Sequence, residues 1–447
     1  MWHLFYNALL LIAAPIILVI LLAKQRCRRG FSERCGFRIP AIRADHRPLI
    51  WVHAVSLGEA VAVSPLVKEL HRRHPDHRFV VSTVTETGRE AVEERLAGVA
   101  EHLYAPLDFP WVVSRLVNQL RPVLYLFVET ELWPNLLREL RRLGVPTVMV
   151  NGRLSTRSFS RQQWGPVRSF YRTMLRGLSL CLMQSDRDAE RIIALGADAR
   201  SVRRTGNIKF DQPMPASVDS ESIRSSLRLQ EGERLFVAGS THPGEEEALV
   251  DCYRSLVAQV PSAIMLLAPR HIERVDQVEA MIRARGVPVQ RRSLMGQAQS
   301  LAPVGPRVII LDSRGELASL YREAVVAYVG GTLIPVGGHN LLEPAVWAKP
   351  VLFGPYTDHC AEIASLLLDA GGGRLVRDAG DLIREVIQLF EHQEECAKMG
   401  RSARLVVEQN QGALRSTVEA IETLLTPHQT GTETDHPGNR VPLTAGR

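Results

Sequence analysis

The chain predicts an α/β fold made of two doubly wound parallel-sheet domains, and three observations carry that prediction. Short apolar runs alternate with longer helical ones from Pro48 onward, the pattern of a parallel sheet covered on both faces. A polar, proline-bearing break at 211–222, DQPMPASVDSES, interrupts the alternation, which then starts again. With 447 residues, 45% of them hydrophobic, the chain can fill two ordinary cores.

The first element differs in kind from the rest. Leu4 to Ala23 is twenty residues without a formal charge, enough to reach roughly 30 Å as a helix. Lys24, Arg26, Arg28 and Arg29 follow at once, whereas no lysine or arginine precedes the run. The positive-inside rule then places the remainder in the cytoplasm, as a single-pass membrane protein anchored by residues 4–23. A monotopic surface helix is the rival reading. A cleaved signal peptide fits less well, since it calls for a basic start and a shorter apolar core. Arg34, Arg38 and Arg43 are expected to hold the chain against an anionic surface.

The alternation itself runs LIWVHAV, RFVVSTV, VLYLFVE, TVMVNG and LCLMQS as strands of a first domain over 30–210, with helices between them. RLFVAGS, AIMLLAPR, RVIILD, AVVAYVGG and PVLFGP are the strands of a second domain over 223–425. Residues 427–447 lack the apolar content to pack and read as a disordered tail. Doubly wound domains carry their ligand loops at the carboxyl ends of the strands, so two of them facing one another would line a shared cleft with those loops.

Composition narrows the partners. The net charge of +6 comes from scattered arginines rather than an aromatic-interleaved basic stripe, which favours anionic small molecules or phosphorylated lipid headgroups and argues against nucleic acid. The six cysteines, Cys27, Cys35, Cys181, Cys252, Cys360 and Cys396, form no C-x-x-C pair and no metal-ligand spacing, so reduced thiols are expected, without zinc or a structural disulfide.

Gly330 to Pro355 is the most informative stretch. A buried strand over Ala324–Val329 leads into a glycine-rich loop, and a helix beginning near Asn340 would aim unpaired amides at a phosphate. Gly337 and Gly338 would let the backbone approach the ligand, and Glu343 would take two hydrogen bonds from a ribose diol. Asn340 and Glu343 also read as a simple cap. Ser56-Leu57-Gly58-Glu59 likewise reads two ways, as a capping box and as the site of a general base, Glu59. Glu129-Thr130-Glu131 with Trp133 ends the third strand run, where a crevice forms, although Trp133 also suits local packing. Lys209 precedes the break and is placed to meet developing charge, though a lone lysine is usually solvated. Pro269-Arg270-His271 and Arg314-Gly315-Glu316-Leu317 end or follow strands of the second domain, so a parallel sheet brings them to one rim beside Gly239–His242. Asp186-Arg187-Asp188 has the form of a metal-binding D-x-D, yet it opens a helix after LMQS and reads as a cap.

The motifs HAVSLGE, ETELWPN, NGRLS, GNIKFD, GSTHPGEE, APRH, GEL and GGHNLLEP occur in the order and spacing of the Kdo (3-deoxy-D-manno-octulosonic acid) transferases of lipopolysaccharide synthesis, which the chain resembles over nearly its whole length. The resemblance implies an inverting GT-B glycosyltransferase. Its donor would be CMP-Kdo and its acceptor the disaccharide lipid A precursor at the membrane, with no metal and no cofactor. It implies Glu59 as proton acceptor, and Glu129 and Lys209 as stabilisers of the transition state. CMP contacts would fall on Pro269, Arg270 and His271, on Gly315, Glu316 and Leu317, and on Asn340, Leu341, Leu342 and Glu343. Where family members commonly read G-P-H/Y-T-F-N-F, this chain has Gly354-Pro355-Tyr356-Thr357-Asp358-His359-Cys360, and it has Gly152 where alanine is more usual. A GT-B enzyme acting on a UDP-sugar, and a membrane-tethered nucleotide-binding scaffold without turnover, are the alternative readings.

Overall fold

The computed structural model describes residues 2–23, 29–37, 46–211, 219–295 and 305–425. They divide into two compact units, with Gly206/Asn207 and Ala413/Leu414 as the boundaries along the chain.

The first unit holds a seven-stranded sheet of β1 (Leu49–His53), β2 (Arg78–Thr83), β3 (Glu101–Tyr104), β4 (Pro122–Val128), β5 (Thr147–Gly152), β6 (Leu180–Met183) and β7 (Val202–Arg204). Every pairing is parallel, in the order β3-β2-β1-β4-β5-β6-β7. The strands are apolar on both faces because helices cover both: all five residues of β1 are buried. One face packs Trp51, Tyr125, Phe127 and Met149 with Leu136 and Leu140, the other packs Ile50, Val52 and Leu124 with Val63, Leu66 and Leu70.

The second unit repeats the scheme with β8 (Arg234–Thr241), β9 (Ala263–Pro269), β10 (Val289–Arg291), β11 (Val308–Ile310), β12 (Ala324–Val329), β13 (Val351–Phe353) and β14 (Gly373–Leu375), all parallel, in the order β10-β11-β9-β8-β12-β13-β14. The expected strand over Ala324–Val329 is β12, residue for residue.

Two boundaries differ from the expected ones. The last helix, Ala413–Leu425, belongs to the first unit rather than the second. Its Val418, Ala420 and Ile421 complete the core around Ile50, Val52 and Leu70, while Glu422 pairs with Arg73 at 3.1 Å. Residues 207–211 belong to the second unit, which carries Lys209 with them. Most of the expected linker and the expected tail lie outside the described residues.

The membrane anchor expected over 4–23 is not supported: among the described residues no helix is long and apolar enough to cross a membrane. The first helix, Trp2–Ala23, contains Pro15, and its opening turns are tied by polar contacts to the first unit. Tyr6 donates to Asp108 at 3.0 Å, Trp2 to Ser169 at 3.1 Å, and Asn7 accepts from Asn135 at 2.6 Å. The side chains at 17, 18 and 20–23 lie outside the described residues. Arg34 cannot serve a lipid surface as expected, because it is buried, donating to the Val84 carbonyl at 2.6 Å and lying over the Tyr104 ring. Arg38 and Arg43 are outside the described residues.

Ile421 is fully buried in the core of the first unit. Ile421→Ala should therefore cost about 2–5 kcal/mol in denaturant unfolding, a loss too large for a helix that merely trails the second unit.

Candidate functional site

In each sheet the strand order reverses at one point, and there the loops at the carboxyl ends of two neighbouring strands part to leave room for a ligand. In the first sheet the reversal lies between β1 and β4, in the second between β8 and β12. The candidate residues gather at both points.

Glu59 lies on the first turn of the helix Leu57–Arg73 that follows β1. The capping reading holds in part: Ser56 is the N-cap, and its hydroxyl donates to Glu59 Oε1 at 2.9 Å. Oε2, however, accepts from the Val55 amide at 2.8 Å rather than from that of Ser56. The carboxyl is half-buried, and burial pushes its pKa up to about 7, with the charges of Glu129 and Glu131 adding to the rise. A cap and a proton acceptor are thus the same side chain here.

Glu129 follows β4 directly with a left-handed backbone, φ 57°, a conformation an ordinary residue adopts only when its surroundings impose it. Its amide donates to Val150, and its Oε2 meets Arg153 Nε at 3.2 Å. Arg153, in NGRLS, gave no sign of this pairing in the sequence. Trp133 packs into the core while its indole N–H reaches Glu131 at 3.4 Å. Its ring meets the edge of His53, whose burial lowers its pKa to about 4 and keeps it neutral.

The second point is built around Glu245. It is fully buried, and its carboxylate accepts from the amides of Gly331, Thr332 and Leu333 at 2.7–3.0 Å, from Tyr328 Oη at 2.7 Å and from the His242 amide at 3.1 Å. The loops after β8 and β12 are pressed together there, and a Cβ on Gly330 would collide with the Ser240 carbonyl. Arg270 leaves the end of β9 with its amide on the Thr241 carbonyl at 2.9 Å; Pro269 is buried, whereas Arg270 and His271 are exposed. Glu316 accepts from Arg292 at 3.1 Å and from Ser313, with Gly315 left-handed before it and Leu317 beginning a short helix.

Several expectations for this rim need correction. The helix expected from Asn340 is only Leu342–Val346, five residues, so its terminus offers little dipole. Asn340 accepts from the Leu342 amide at 3.1 Å and donates to Glu343 at 3.3 Å, which is the capping reading. The Leu341 and Leu342 side chains are buried in the core, so backbone alone is left there for a ligand. Gly337 and Gly338 are required by packing within the chain itself. Their missing Cβ atoms make room for the His359 ring, 2.8 Å from an ideal Cβ, and for Cys360 Sγ at 2.9 Å. The segment in which this chain departs from the family's usual residues thus forms the wall of the loop. Lys209 sits on a 3-10 turn of the second unit, braced by Asn207, which also donates to Glu362 at 2.8 Å. The structure therefore groups Glu59, Glu129 and Glu131, and groups Arg270 and His271 with the β8 and β12 loops, but places Lys209 in a different unit from Glu129. Asp188 is part of a cap, as expected, accepting from Ser185 and from the Leu154 amide. The one histidine–carboxylate grouping of metal-ligand spacing among the described residues, His74, Asp76 and His77, lies on the turn into β2, at the opposite end of the sheet.

Two parallel doubly wound units, each with charged residues gathered at its reversal point, define an α/β fold of GT-B-like type. Solved structures agree on the fold: a UDP-N-acetylglucosamine 2-epimerase superposes with a TM-score of 0.57 at 15% identity over 88% of this chain and 99% of that one. A glycosyltransferase from Rickettsia africae gives 0.55 at 12% identity, covering 86% of this chain and all of that one. Residues 29–212 match the family model described as 3-deoxy-D-manno-octulosonic-acid transferase (kdotransferase). The 3-deoxy-D-manno-octulosonic acid transferase of Haemophilus influenzae is 34% identical over 434 residues, 95% of this chain and 99% of the relative, and that of Bordetella pertussis is 34% identical over 403 residues, 88% and 90% of the two chains. The chain belongs to the Kdo transferase family and is a glycosyltransferase.

Glu245→Ala would strand three amides at once, those of Gly331 and Thr332 buried and that of Leu333 half-buried. It should lower stability by at least about 3 kcal/mol, read as a shift of the thermal unfolding midpoint, while Glu247→Ala on the same helix should leave the midpoint unchanged.

Proposed function

We propose that this chain moves Kdo, with inversion, from CMP-Kdo to a hydroxyl of the phosphorylated disaccharide precursor of lipid A at the cytoplasmic face of the inner membrane. The observation that carries the chemistry is Glu59: a carboxyl at a sheet reversal point whose burial and acidic neighbours raise its pKa to about 7, matched to taking a proton from a sugar hydroxyl near neutral pH. Glu59 accepts that proton as the acceptor oxygen attacks the anomeric carbon and the bond to the CMP phosphate breaks. Glu129, held by Arg153, adds negative charge that keeps the Glu59 carboxyl basic and suits an oxocarbenium-like centre. Lys209 is the cation proposed to meet the charge on the departing group.

Membership of the family supports the donor and the acceptor, and the second unit offers fitting chemistry. Arg270 is an exposed guanidinium at the reversal point, able to meet a single phosphate without a divalent cation. Pro269 and His271 flank it, and Gly315, Glu316 and Leu317 with Asn340, Leu341, Leu342 and Glu343 complete the proposed CMP contacts, the two carboxylates as acceptors for hydroxyls.

Glu59→Gln keeps hydrogen-bonding atoms at the cap and removes the base. Transfer to the lipid acceptor should fall about 10²–10⁴-fold with an unfolding midpoint near that of the parent, and a mutant rate near parental would end the assignment. A base must be deprotonated to act, so kcat/KM should climb through pH 7 and level off above it, and that inflection should vanish in the mutant.

CMP should protect the protein against heat and UDP should not, with about 2.7 kcal/mol of added stability at a hundred times the dissociation constant. Protection by UDP instead would favour the UDP-sugar reading, and CMP binding without Kdo transfer would favour a scaffold.

A further inference from the structure

The imidazoles of His242 and His339 meet at the reversal point of the second sheet, one from the loop after β8 and the other from the loop after β12. Their Nε2 atoms are 2.8 Å apart. The ring planes differ by only 5° and the centroids are 5.1 Å apart. With the two Nε2 atoms that close, the rings meet edge to edge in nearly one plane, joined by an N–H···N bond rather than stacked face to face. One nitrogen of that bond must carry a proton and the other must not.

The protons can be counted. In the neutral pair one imidazole gives its Nε2–H to the other, so its own Nδ1 is bare, while the accepting imidazole carries its proton on Nδ1. One added proton settles on the bare Nδ1. Both outer edges then present N–H donors, the shared bond survives, and the pair carries one positive charge. A second added proton would place two N–H groups head to head and break the contact. The pair is built to hold a single extra proton, and among the described residues no protein group hydrogen-bonds either Nδ1.

The surroundings decide when that proton enters. His339 is pressed to a pKa of about 3 by burial first, then by Arg270, His242, His359 and His271. His242 is lowered less, by burial and by His271 and Arg270, while Glu245 and Glu246 work in the opposite direction. Glu245 is already engaged by three amides and Tyr328, and Glu246 by Arg274 at 2.9 and 3.0 Å. The His271 ring lies 5.6 Å from that of His242, and its Nδ1 pairs with Glu273 at 3.4 Å. Without ligand the pair is therefore neutral near pH 7, beside a guanidinium that repels the extra proton. An anion arriving at Arg270 cancels that repulsion and supplies an acceptor.

We propose that His242 and His339 are binding residues for an anionic group of the donor, a phosphate or a sugar carboxylate, and that they take up one proton as that group docks beside Arg270. His242 carries the charge, and His339 stays neutral as its hydrogen-bond acceptor. The proposal rests on the reading of the second unit as the donor site. A neutral nucleoside gains nothing from the pair, so the two histidines select for donors that bring charge.

Calorimetric titration of CMP-Kdo into the full chain at pH 7, in two buffers of different ionisation enthalpy, tests this. The heats should differ by the uptake of close to one proton, and donor affinity should weaken with rising pH by up to about tenfold per unit. His242→Gln and His339→Gln should each abolish the buffer dependence and flatten the pH profile while keeping the parental unfolding midpoint; should one variant fold poorly, the other carries the test. Cytidine should show no uptake. Uptake with CMP as well as CMP-Kdo identifies the phosphate, and uptake with CMP-Kdo alone identifies the carboxylate. CMP-Kdo binding without uptake, or with uptake unchanged in both variants, overturns the histidine assignment and leaves the donor reading standing, whereas no CMP-Kdo binding overturns both.

Discussion

A parallel sheet is wound only by crossovers that carry the chain back to its starting end, so every strand releases the chain at the same edge. All twelve strand pairings among the described residues are parallel. That constraint alone brings residues as distant in sequence as Glu59 and Glu129, or His242 and His339, to one rim. It also leaves one gap per sheet where neighbouring crossovers depart to opposite sides, and both gaps here are lined by charge.

The two gaps are electrostatic opposites. In the first unit three carboxylates crowd together, and the cost of burying negative charge appears as the raised pKa of Glu59. In the second, cationic and titratable nitrogen groups surround two buried carboxylates, Glu246, held by Arg274, and Glu245, which fastens three successive amides of the β12 loop. That anchor adds to the β8–β12 pairing in tying the loop bearing His339 and Asn340 to the loop bearing His242. The acidic site suits proton removal from a hydroxyl, and the basic site suits a phosphorylated leaving group.

Much of this was legible in the sequence, because apolar strands buried on both faces leave unbroken runs. Ala324–Val329 is an example, and Ser56 with Glu59 announced both a cap and a candidate base. The last helix was not legible in this way: its periodicity shows that one face is buried, not that Ile421 packs beside Ile50 across most of the chain. Gly337 and Gly338 announced a close approach without saying of what, and in the structure His359 and Cys360 of the same chain come close there. The length and apolarity of residues 4–23 suggested a bilayer, but sequence does not show that Tyr6 and Asn7 spend their polar groups on Asp108 and Asn135. The histidine pair was hidden for the same reason, since its partners are 97 residues apart.

The central claim is that the donor nucleotide lies at the reversal point of the second sheet. Hydrogen exchange of the full chain with and without CMP tests it most directly. Protection should concentrate in 239–242, 269–271 and 330–343, where β8, β9 and β12 end. Protection confined to the opposite edge, at 232–234 and 260–263, or absent from all three loops while CMP is bound, would contradict the account.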